Sequence, residues 1–254
     1  MNIKNGIVLI FSGLLTISCT PKKQIQETSS VENIIEEEEK EPAERKHYNP
    51  SEKRVNDLLH TKLKVSFDWK NQQLNGEAYL TLKPYFYATD SLTLDAKAMD
   101  IHSVRQNDGK SMELKYTYDG QSLKIKLPKE YNRTEQYTLY IEYTANPEEV
   151  KQEGSSAISD AKGLYFINHD GADKNKHMEI WTQGETEASS AWFPTIDSPN
   201  EKTTEEIYIT VQDKYTTLSN GLLIESTQNE NGTRTDYWKM DKPHSPYLFM
   251  MTVG

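Results

Sequence analysis

The sequence predicts an all-β fold built of mostly antiparallel, curved and packed sheets. Short runs in which apolar and polar residues alternate predict strands with one buried face. Many of these runs are separated by Asn-Gly or Asp-Gly dipeptides, which tolerate positive φ angles and close hairpins. No long stretch shows the apolar period of an amphipathic helix, so helices are not expected to build the core.

The alternating runs extend from Lys62 to the end of the chain. Each run places apolar side chains on one face and polar side chains on the other, as expected for a strand that covers a core on one side. The apolar positions are, in order, Leu63, Val65, Phe67 and Trp69; Ala78, Leu80 and Leu82; Leu92 and Leu94; Leu123, Ile125 and Leu127; Tyr137, Leu139, Ile141 and Tyr143; Ile207, Ile209 and Val211; and the run Tyr247 to Val253.

Turn-forming dipeptides between the runs predict where the chain reverses. Before the first strand, Val55 to His60 is expected to form a short helical turn. The predicted reversals are at Asn75-Gly76, Asp108-Gly109, Asp119-Gly120, Asn220-Gly221 and Asn231-Gly232.

The composition of the chain limits its classes of partner. Its 254 residues include 29 Lys and Arg against 39 Asp and Glu, for a net charge of -10. Binding to a phosphate backbone needs clustered Lys and Arg, so nucleic acid is not expected as a partner. The length allows one large domain or two small ones.

The first residues have the features of a secretory targeting segment. Lys4 precedes the apolar run Ile7 to Ile17, which is too short for a membrane span because spanning takes about 20 residues. Cys19 follows, in an arrangement that resembles a bacterial lipoprotein signal. We expect residues 1–18 to be the signal peptide and Cys19 to carry lipid, which would anchor the protein in the bacterial cell envelope, at the outer membrane or on the periplasmic face. An ordinary signal peptide with an incidental cysteine is the alternative.

Residues 19–56 are predicted to form a disordered acidic tether. The stretch contains the run Glu36 to Glu39 and few apolar residues, so burial would not offset the entropy cost of ordering it. The acidic run is better explained as a solvated linker than as a partner site. The predicted folded domain covers residues 57–254.

The sequence lacks the common local motifs of a catalytic centre. None of its six histidines begins an H-E-x-x-H zinc helix, and one cysteine cannot form a paired-cysteine metal site. His177 and Glu179 would share one face of a strand, but two ligands are too few for a closed metal site. No G-x-S-x-G elbow and no P-loop is present. We therefore predict neither a metal site nor catalytic residues in this chain.

One segment is not explained by strand alternation. Trp181 to Thr204 reads WTQGETEASSAWFPTIDSPNEKTT and mixes carboxylates, amides and large aromatic rings. Together with GLYFIN from Gly163, LSNG from Leu218 and YLFMMTVG from Tyr247, it follows the order and spacing of M1-family zinc aminopeptidases. The stretch LKVSFDWKNQQLNGEAYLTLKP resembles the first hairpin of the same amino-terminal domain. The resemblance covers the chain from about His60 to Gly254.

The resemblance implies a saddle-shaped, all-β first domain followed by a thermolysin-like catalytic domain that binds zinc. The G-A-M-E-N-type motif and the zinc helix of that second domain are not in this sequence, which stops near where the family passes into it. We therefore expect a truncated chain or the first domain of a longer aminopeptidase, inactive by itself. Its expected partners are the catalytic domain and the amino terminus of a peptide substrate.

The resemblance also implies roles for the T-Q-x-E motif. Glu185 would bind the free α-amine of the substrate by a charge-assisted hydrogen bond. Gln183 would help to shape the first side-chain pocket and would offer its amide to the substrate. Without the resemblance, both residues would be interpreted as polar residues of a surface loop. The sequence departs from the family where Ser189 and Ser190 replace a frequent Arg and Thr195 replaces a frequent Cys, which leaves the detailed specificity open.

The residues that follow the motif are interpreted as structural. Trp192, Phe193 and Pro194 are expected to fix the exit of the loop by burial against the sheet. Asp197 and Pro199 are expected to set the next turn, with Asp197 accepting local backbone hydrogen bonds.

Two other functions remain open at this point. One is a non-catalytic, M1-like lipoprotein module that binds peptides or other envelope proteins. The other is a carbohydrate-binding β-sandwich, although alternating tyrosines are more often ordinary sheet surface. Its sugar platform would consist of Tyr116, Tyr118, Tyr137 and Tyr143.

Overall fold

The structure, a computed structural model, describes residues 53–151 and 160–254. Within these ranges every helix is a 3-10 helix of three residues, and no helix is long and apolar enough to cross a membrane. The 3-10 helices are Pro147–Glu149, Ser189–Ala191 and Pro246–Leu248. The strands are β1 (Asn56–Asp68), β2 (Gln73–Pro84), β3 (Thr89–Asp95), β4 (Met99–Asp108), β5 (Lys110–Glu113), β6 (Lys115–Tyr118), β7 (Ser122–Tyr131), β8 (Tyr137–Ala145), β9 (Leu164–Ile167), β10 (Glu179–Thr182), β11 (Thr203–Gln212), β12 (Thr217–Ser219), β13 (Leu222–Gln228), β14 (Thr233–His244) and β15 (Met251–Val253).

An eight-stranded sheet forms the largest layer, in the order β13-β14-β11-β1-β2-β8-β4-β5. β1 pairs in parallel with β11, and the other neighbours are antiparallel. Alternation along β1 and β2 buries Leu63 and Leu80, while Lys62 and Tyr79 lie partly exposed on the opposite face. The predicted all-β class with mostly antiparallel sheets is confirmed.

Two smaller sheets contribute to the same core. Their orders are β12-β15-β10-β9 and β3-β7-β6. Leu94, Leu139 and Ile180, one from each of the three sheets, belong to one cluster of buried apolar residues. The small sheets are thus packed elements of the same domain and not separate units.

Three of the five predicted turns are confirmed as hairpins between paired strands. Gly109, Gly120 and Gly232 have positive φ at these hairpins, whereas Gly221, also with positive φ, lies between β12 and β13, which belong to different sheets. The prediction for Asn75-Gly76 is wrong, because this pair lies inside β2 and the chain reverses earlier, around Gln72 with a φ of 55°. Gly76 has another role: a Cβ atom there would overlap the ring of Tyr143, which packs directly against it.

Two further sequence predictions are wrong. The predicted helical turn at Val55 to His60 is strand from Asn56 onward, because its backbone pairs with the end of β2. The predicted strand Tyr247 to Val253 is reduced to Met251–Val253. Pro246 begins a 3-10 helix before it, since the fixed φ of proline suits a first helical turn and its nitrogen cannot donate to a strand ladder.

The structure does not describe residues 1–52. The predicted signal peptide 1–18, the lipid site at Cys19 and all but the last residues of the predicted tether 19–56 lie there and stay predictions. Near the start of the described chain, Arg54 forms ion pairs with the domain. Its Nη2 atom lies 2.7 Å from Asp57 and 2.8 Å from the buried Glu201.

Candidate functional site

The predicted site lies on the connection that leaves β10. This strand is flanked by β15 and β9, so the connection starts from the interior of a sheet. Directly after the strand, the backbone N–H of Gln183 donates to the carbonyl of Gly163 at 2.9 Å, and Ala188 donates to the carbonyl of Gly184 at 2.9 Å. The first bond fixes the start of residues 182–188, which we call the TQGE loop, and the second closes a turn within the loop.

Two glycines allow the close packing of the TQGE loop. A Cβ atom on Gly184 would overlap the carbonyl oxygen of Tyr247. A Cβ atom on Gly163 would overlap the carbonyl oxygen of Ala188, and Gly163 also has a φ of 71°. Because backbone atoms cannot move aside as a flexible side chain can, both positions require glycine. The sequence motifs GLYFIN and TQGE therefore meet at one place in the fold.

Gln183 and Glu185 lie next to each other in this loop but are placed differently. Gln183 is half-buried, and its side-chain oxygen accepts the backbone N–H of Glu185 at 2.8 Å. Glu185 is exposed, and the peptide bond that follows it is cis. Its carboxylate forms no hydrogen bond or ion pair with the rest of the described chain. The loop thus holds the backbone of Glu185 and presents its charge to the solvent.

Lys97 connects the TQGE loop to the end of β3, a role that sequence reasoning missed. Its backbone N–H donates to the carbonyl of Ser190 at 2.7 Å, and its ammonium group donates to the carbonyl of Glu187. On the other side, the hydroxyl of Ser189 donates to the carbonyl of Pro246 at 2.8 Å. These contacts hold the loop to two different parts of the domain.

The aromatic exit of the loop is fully buried. Trp192 and Phe193 are inaccessible to solvent, and their ring centroids lie 4.4 Å apart. Phe193 stacks on Phe249 at 5.1 Å, and the hydroxyl of Tyr143 donates to the carbonyl of Trp192 at 3.0 Å. With Pro194 also buried, the structural interpretation of this run is confirmed.

Asp197 accepts a backbone hydrogen bond, but from the preceding Ser190 and not within the turn that it was predicted to set. Its Oδ2 atom accepts the N–H of Ser190 at 2.8 Å, and its own backbone N–H donates to Oδ2 of Asp95 at 2.9 Å. Burial raises the pKa of Asp197 to about 6, against the opposing effects of the Ser190 hydrogen bond and the Lys97 charge. Through these two hydrogen bonds, Asp197 ties the exit of the loop to the end of β3. Pro199 is exposed.

An aromatic pair that sequence reasoning did not single out lies beside the TQGE loop. Trp181, two residues before Gln183, stacks on Tyr165 of the neighbouring strand with centroids 4.6 Å apart and an angle of 14°. Trp181 is 39% exposed, unlike Trp192.

The described residues do not fit a zinc centre. No group of three or more His, Cys, Asp and Glu side chains in residues 53–151 and 160–254 is arranged to hold a metal ion. Glu179 begins β10, whereas His177 lies two residues before the strand, and both side chains are exposed. No metal-dependent step can therefore be derived from these residues.

The sugar platform considered from the sequence is not present. Tyr137 and Tyr143 are buried, each 1% exposed, whereas Tyr116 is exposed. Four tyrosines divided between the core and the surface cannot form one stacking face, so the predicted platform is not formed by these residues.

Comparison with protein families identifies this arrangement. Residues 44–248 match the model of the Peptidase M1 N-terminal domain. The chain belongs to this family. The resemblance inferred from the motifs is confirmed, and the packed sheets are those of an M1 amino-terminal domain.

Individual relatives agree with this assignment. The M1 zinc metallopeptidase from Deinococcus radiodurans superimposes with a TM-score of 0.67 at 19% identity, over 79% of this chain and 42% of that chain. Legionella pneumophila aminopeptidase A, solved in complex with aspartic acid, gives a TM-score of 0.62 at 23% identity, over 80% of this chain and 22% of that chain. Aminopeptidase B from Rattus norvegicus is 22% identical over 139 residues, which are 55% of this chain and 19% of the rat protein. The chain thus spans less than half the length of these relatives.

Proposed function

We propose that this M1 domain works in a zinc aminopeptidase, where Glu185 binds the free α-amine of a peptide substrate. The observation that supports the proposal is an exposed carboxylate on a loop whose backbone is fixed by hydrogen bonds at its start and within its turn, in a chain of the M1 family. An ammonium group forms a charge-assisted hydrogen bond with a carboxylate. Because the loop already fixes the backbone that carries this carboxylate, binding loses little additional conformational entropy.

A carboxylate at a fixed position would also measure where the peptide begins. A substrate held by its free amine would place its first peptide bond at a constant distance from the loop. An acetylated amino terminus carries no charge, so it would leave Glu185 without its partner. The proposed activity is the removal of single residues from the amino end of peptides.

Gln183 acts in this proposal by positioning Glu185. The backbone N–H of Glu185 donates to the side-chain oxygen of Gln183, with 2.8 Å between nitrogen and oxygen. The side-chain nitrogen of Gln183 therefore points away from that bond. The amide donors are then available to a substrate carbonyl in the first side-chain pocket.

The hydrolytic step belongs, in this proposal, to a catalytic domain. One similar structure is described as a two domain M1 zinc metallopeptidase. Zinc in such an enzyme supplies a Lewis acid and an activated water. Because the described residues of this chain include no fitting set of metal ligands, the contribution proposed for this domain is substrate recognition.

The test compares this chain with a protein that joins it to an M1 catalytic domain encoded by the same gene. The substrate is leucine p-nitroanilide in the presence of zinc. In the joined protein, Glu185→Gln is expected to lower kcat/KM by about 10- to 100-fold, because a hydrogen bond to a charged group is lost. Glu187→Gln is the matched control, since it changes another exposed carboxylate of the same loop and is expected to leave kcat/KM nearly unchanged.

Equal effects of the two substitutions would contradict the role of Glu185. A gene without a catalytic domain, together with binding of free-amine peptides by this chain, would favour the non-catalytic peptide-binding module instead.

We further propose that the chain is secreted and carries lipid at Cys19 in the bacterial cell envelope. The support is the sequence arrangement of Lys4, the apolar run and the cysteine that follows it. Labelling of a bacterial host with radioactive palmitate is expected to mark the wild-type chain and not Cys19→Ser. Equal labelling of both would contradict this proposal.

A further inference from the structure

Three consecutive aromatic side chains are exposed at one end of the domain. Tyr85, Phe86 and Tyr87 form the connection between β2 and β3 and are 46%, 58% and 69% exposed. Phe86 and Tyr87 pack edge-to-face on each other, with centroids 4.9 Å apart. We call these three residues the aromatic tip. A contiguous group of exposed large rings marks an interaction surface, because single exposed apolar residues are common but clusters are not.

Cationic side chains lie over the rings of the aromatic tip. Nζ of Lys53 is 5.7 Å from the centroid of the Tyr87 ring, and the guanidinium of Arg133 is 6.0 Å from that of Phe86. Neither cation forms an ion pair within the described ranges, whereas the nearby acid Asp90 is paired with Lys126. A third cation, the guanidinium of Arg54, lies 4.2 Å from the centroid of the Tyr85 ring and is paired with Asp57 and Glu201. The tip therefore combines aromatic rings with two positive charges, those of Lys53 and Arg133, that have no acidic partner among the described residues.

The aromatic tip is also where the chain enters the domain. Lys53 is the first residue that the structure describes. Two residues later, the carbonyl of Val55 accepts the backbone N–H of Tyr85 at 2.9 Å, and Val55 itself is 45% exposed. Residues 1–52, with the predicted lipid site at Cys19, thus join the domain beside the tip.

The aromatic tip and the TQGE loop lie at opposite ends of β3. The strand begins at Thr89, beside the tip, and ends at Asp95, whose backbone pairs with Thr195 at the exit of the loop. At about 3.3 Å per residue, the two ends of this strand are roughly 20 Å apart. A surface that covers the tip leaves the loop accessible.

We propose that the aromatic tip docks on the headgroup region of a membrane that contains anionic phospholipids. Aromatic rings with a polar edge favour the membrane interface, and Lys and Arg beside them are attracted to anionic headgroups. Charge complementarity and the entry of residues 1–52 at this end both favour a lipid surface over a protein partner. Docked in this way, the domain directs Glu185 away from the membrane. The inference does not depend on the peptidase function.

The test places a fluorophore beside the tip in the full chain. In a Cys19→Ser background, Ala88→Cys carries a nitrobenzoxadiazole group and leaves all three rings in place. The probe is a vesicle of phosphatidylethanolamine and phosphatidylglycerol. We expect the emission of the label to shift to shorter wavelength and to be quenched by brominated lipid. The matched control is a label at Glu230→Cys, in the exposed polar turn between β13 and β14, which is expected to show neither effect.

This readout reports which face touches the membrane and not merely whether the chain binds. The apolar run Ile7 to Ile17 can bring every variant to a vesicle, so binding alone decides nothing. An unchanged label at position 88 on vesicle-bound protein would overturn the proposal, and so would equal shifts at both positions. A shift without vesicles that grows with protein concentration would show that a second copy covers the tip, which would also overturn it.

The charges give an independent check. Lys53→Gln with Arg133→Gln is expected to raise the amount of anionic lipid needed for half-maximal quenching at position 88, by roughly fivefold for each charge removed. The matched control is Lys239→Gln, a partly exposed lysine of β14. No difference between the charge variants and this control would contradict the proposed attraction to anionic headgroups.

Discussion

The carboxylate of Asp197 accepts the backbone N–H of Ser190 at 2.8 Å, and both residues are buried. Asp197 also donates its backbone N–H to Asp95, at the end of β3. Through its side chain and its backbone together, Asp197 therefore joins the exit of the TQGE loop to a neighbouring sheet. Since burial raises its pKa, the strength of this junction depends on pH.

We expect Asp197 to make stability fall as pH rises through the range of its titration. Its pKa is raised from 3.8 to about 6 on folding, so between these values the folded state keeps a proton that the unfolded state has released. The stability that this group contributes is present below about pH 4 and is lost as pH rises through about 6.

Urea unfolding of wild type and Asp197→Asn at several pH values measures this effect. The difference in unfolding free energy is expected to move in favour of the variant by up to roughly 3 kcal/mol across the range. Other buried acids, such as Glu205, are present in both proteins and cancel. A difference that does not change with pH would contradict the assignment to Asp197.

Gly184→Ala is expected to destabilise the domain by about 3 kcal/mol, because the added methyl group would overlap the carbonyl of Tyr247. Gly232→Ala is the control, since it also replaces a loop glycine but has open space around it. Its cost is expected to be about 1 kcal/mol, from its positive φ alone. Urea unfolding measures both, and equal losses would show that close packing at Gly184 is not what requires glycine.

The two tryptophans of the segment are expected to differ in their effect on stability. Trp192→Ala removes a fully buried ring and is expected to cost about 3–5 kcal/mol in unfolding free energy. Trp181→Ala removes a partly exposed ring that stacks on Tyr165 and is expected to cost about 1 kcal/mol. Thermal and urea unfolding give both values. A larger loss for Trp181→Ala would reverse the structural assignment of these residues.

Gln183→Ala is expected to loosen the TQGE loop without unfolding the domain. The substitution removes the acceptor for the backbone N–H of Glu185, a bond of 2.8 Å. The net cost is expected to be about 1 kcal/mol, so exchange of that amide with solvent deuterium becomes several-fold faster. Mass spectrometry of the peptide that covers the loop measures the exchange. Gln228→Ala, in the exposed β13, serves as control, and faster exchange of the loop in that variant as well would contradict a local effect.

The strands were predictable because burial on one face forces a simple alternation of residue types. Leu63, Leu80 and Leu139 lie in the core where the pattern placed them. The position of Asn75-Gly76 inside a strand was not predictable in this way, because the glycine is required by Tyr143, a residue remote in sequence. A dipeptide favours a turn locally, and a long-range packing contact overrides that preference.

The TQGE loop was found from the sequence because its motif follows a recognisable order with neighbouring motifs. Lys97, which binds two carbonyl groups of the segment, was not found. A lysine after a short strand is most often a solvated residue, and nothing nearby in the sequence shows that Glu187 and Ser190 approach it. Contacts between backbone carbonyls and a distant side chain leave no periodic pattern.

A comparison of substrates with and without an α-amine tests whether Glu185 binds that amine. In the protein that joins this chain to a catalytic domain, kcat/KM is measured for leucine p-nitroanilide and for the matching 4-methylpentanoyl anilide, with wild type and Glu185→Gln. If Glu185 binds the amine, the preference for the leucine substrate falls by about 10- to 100-fold in the variant. If the preference for the leucine substrate is the same in wild type and Glu185→Gln, Glu185 does not bind the amine.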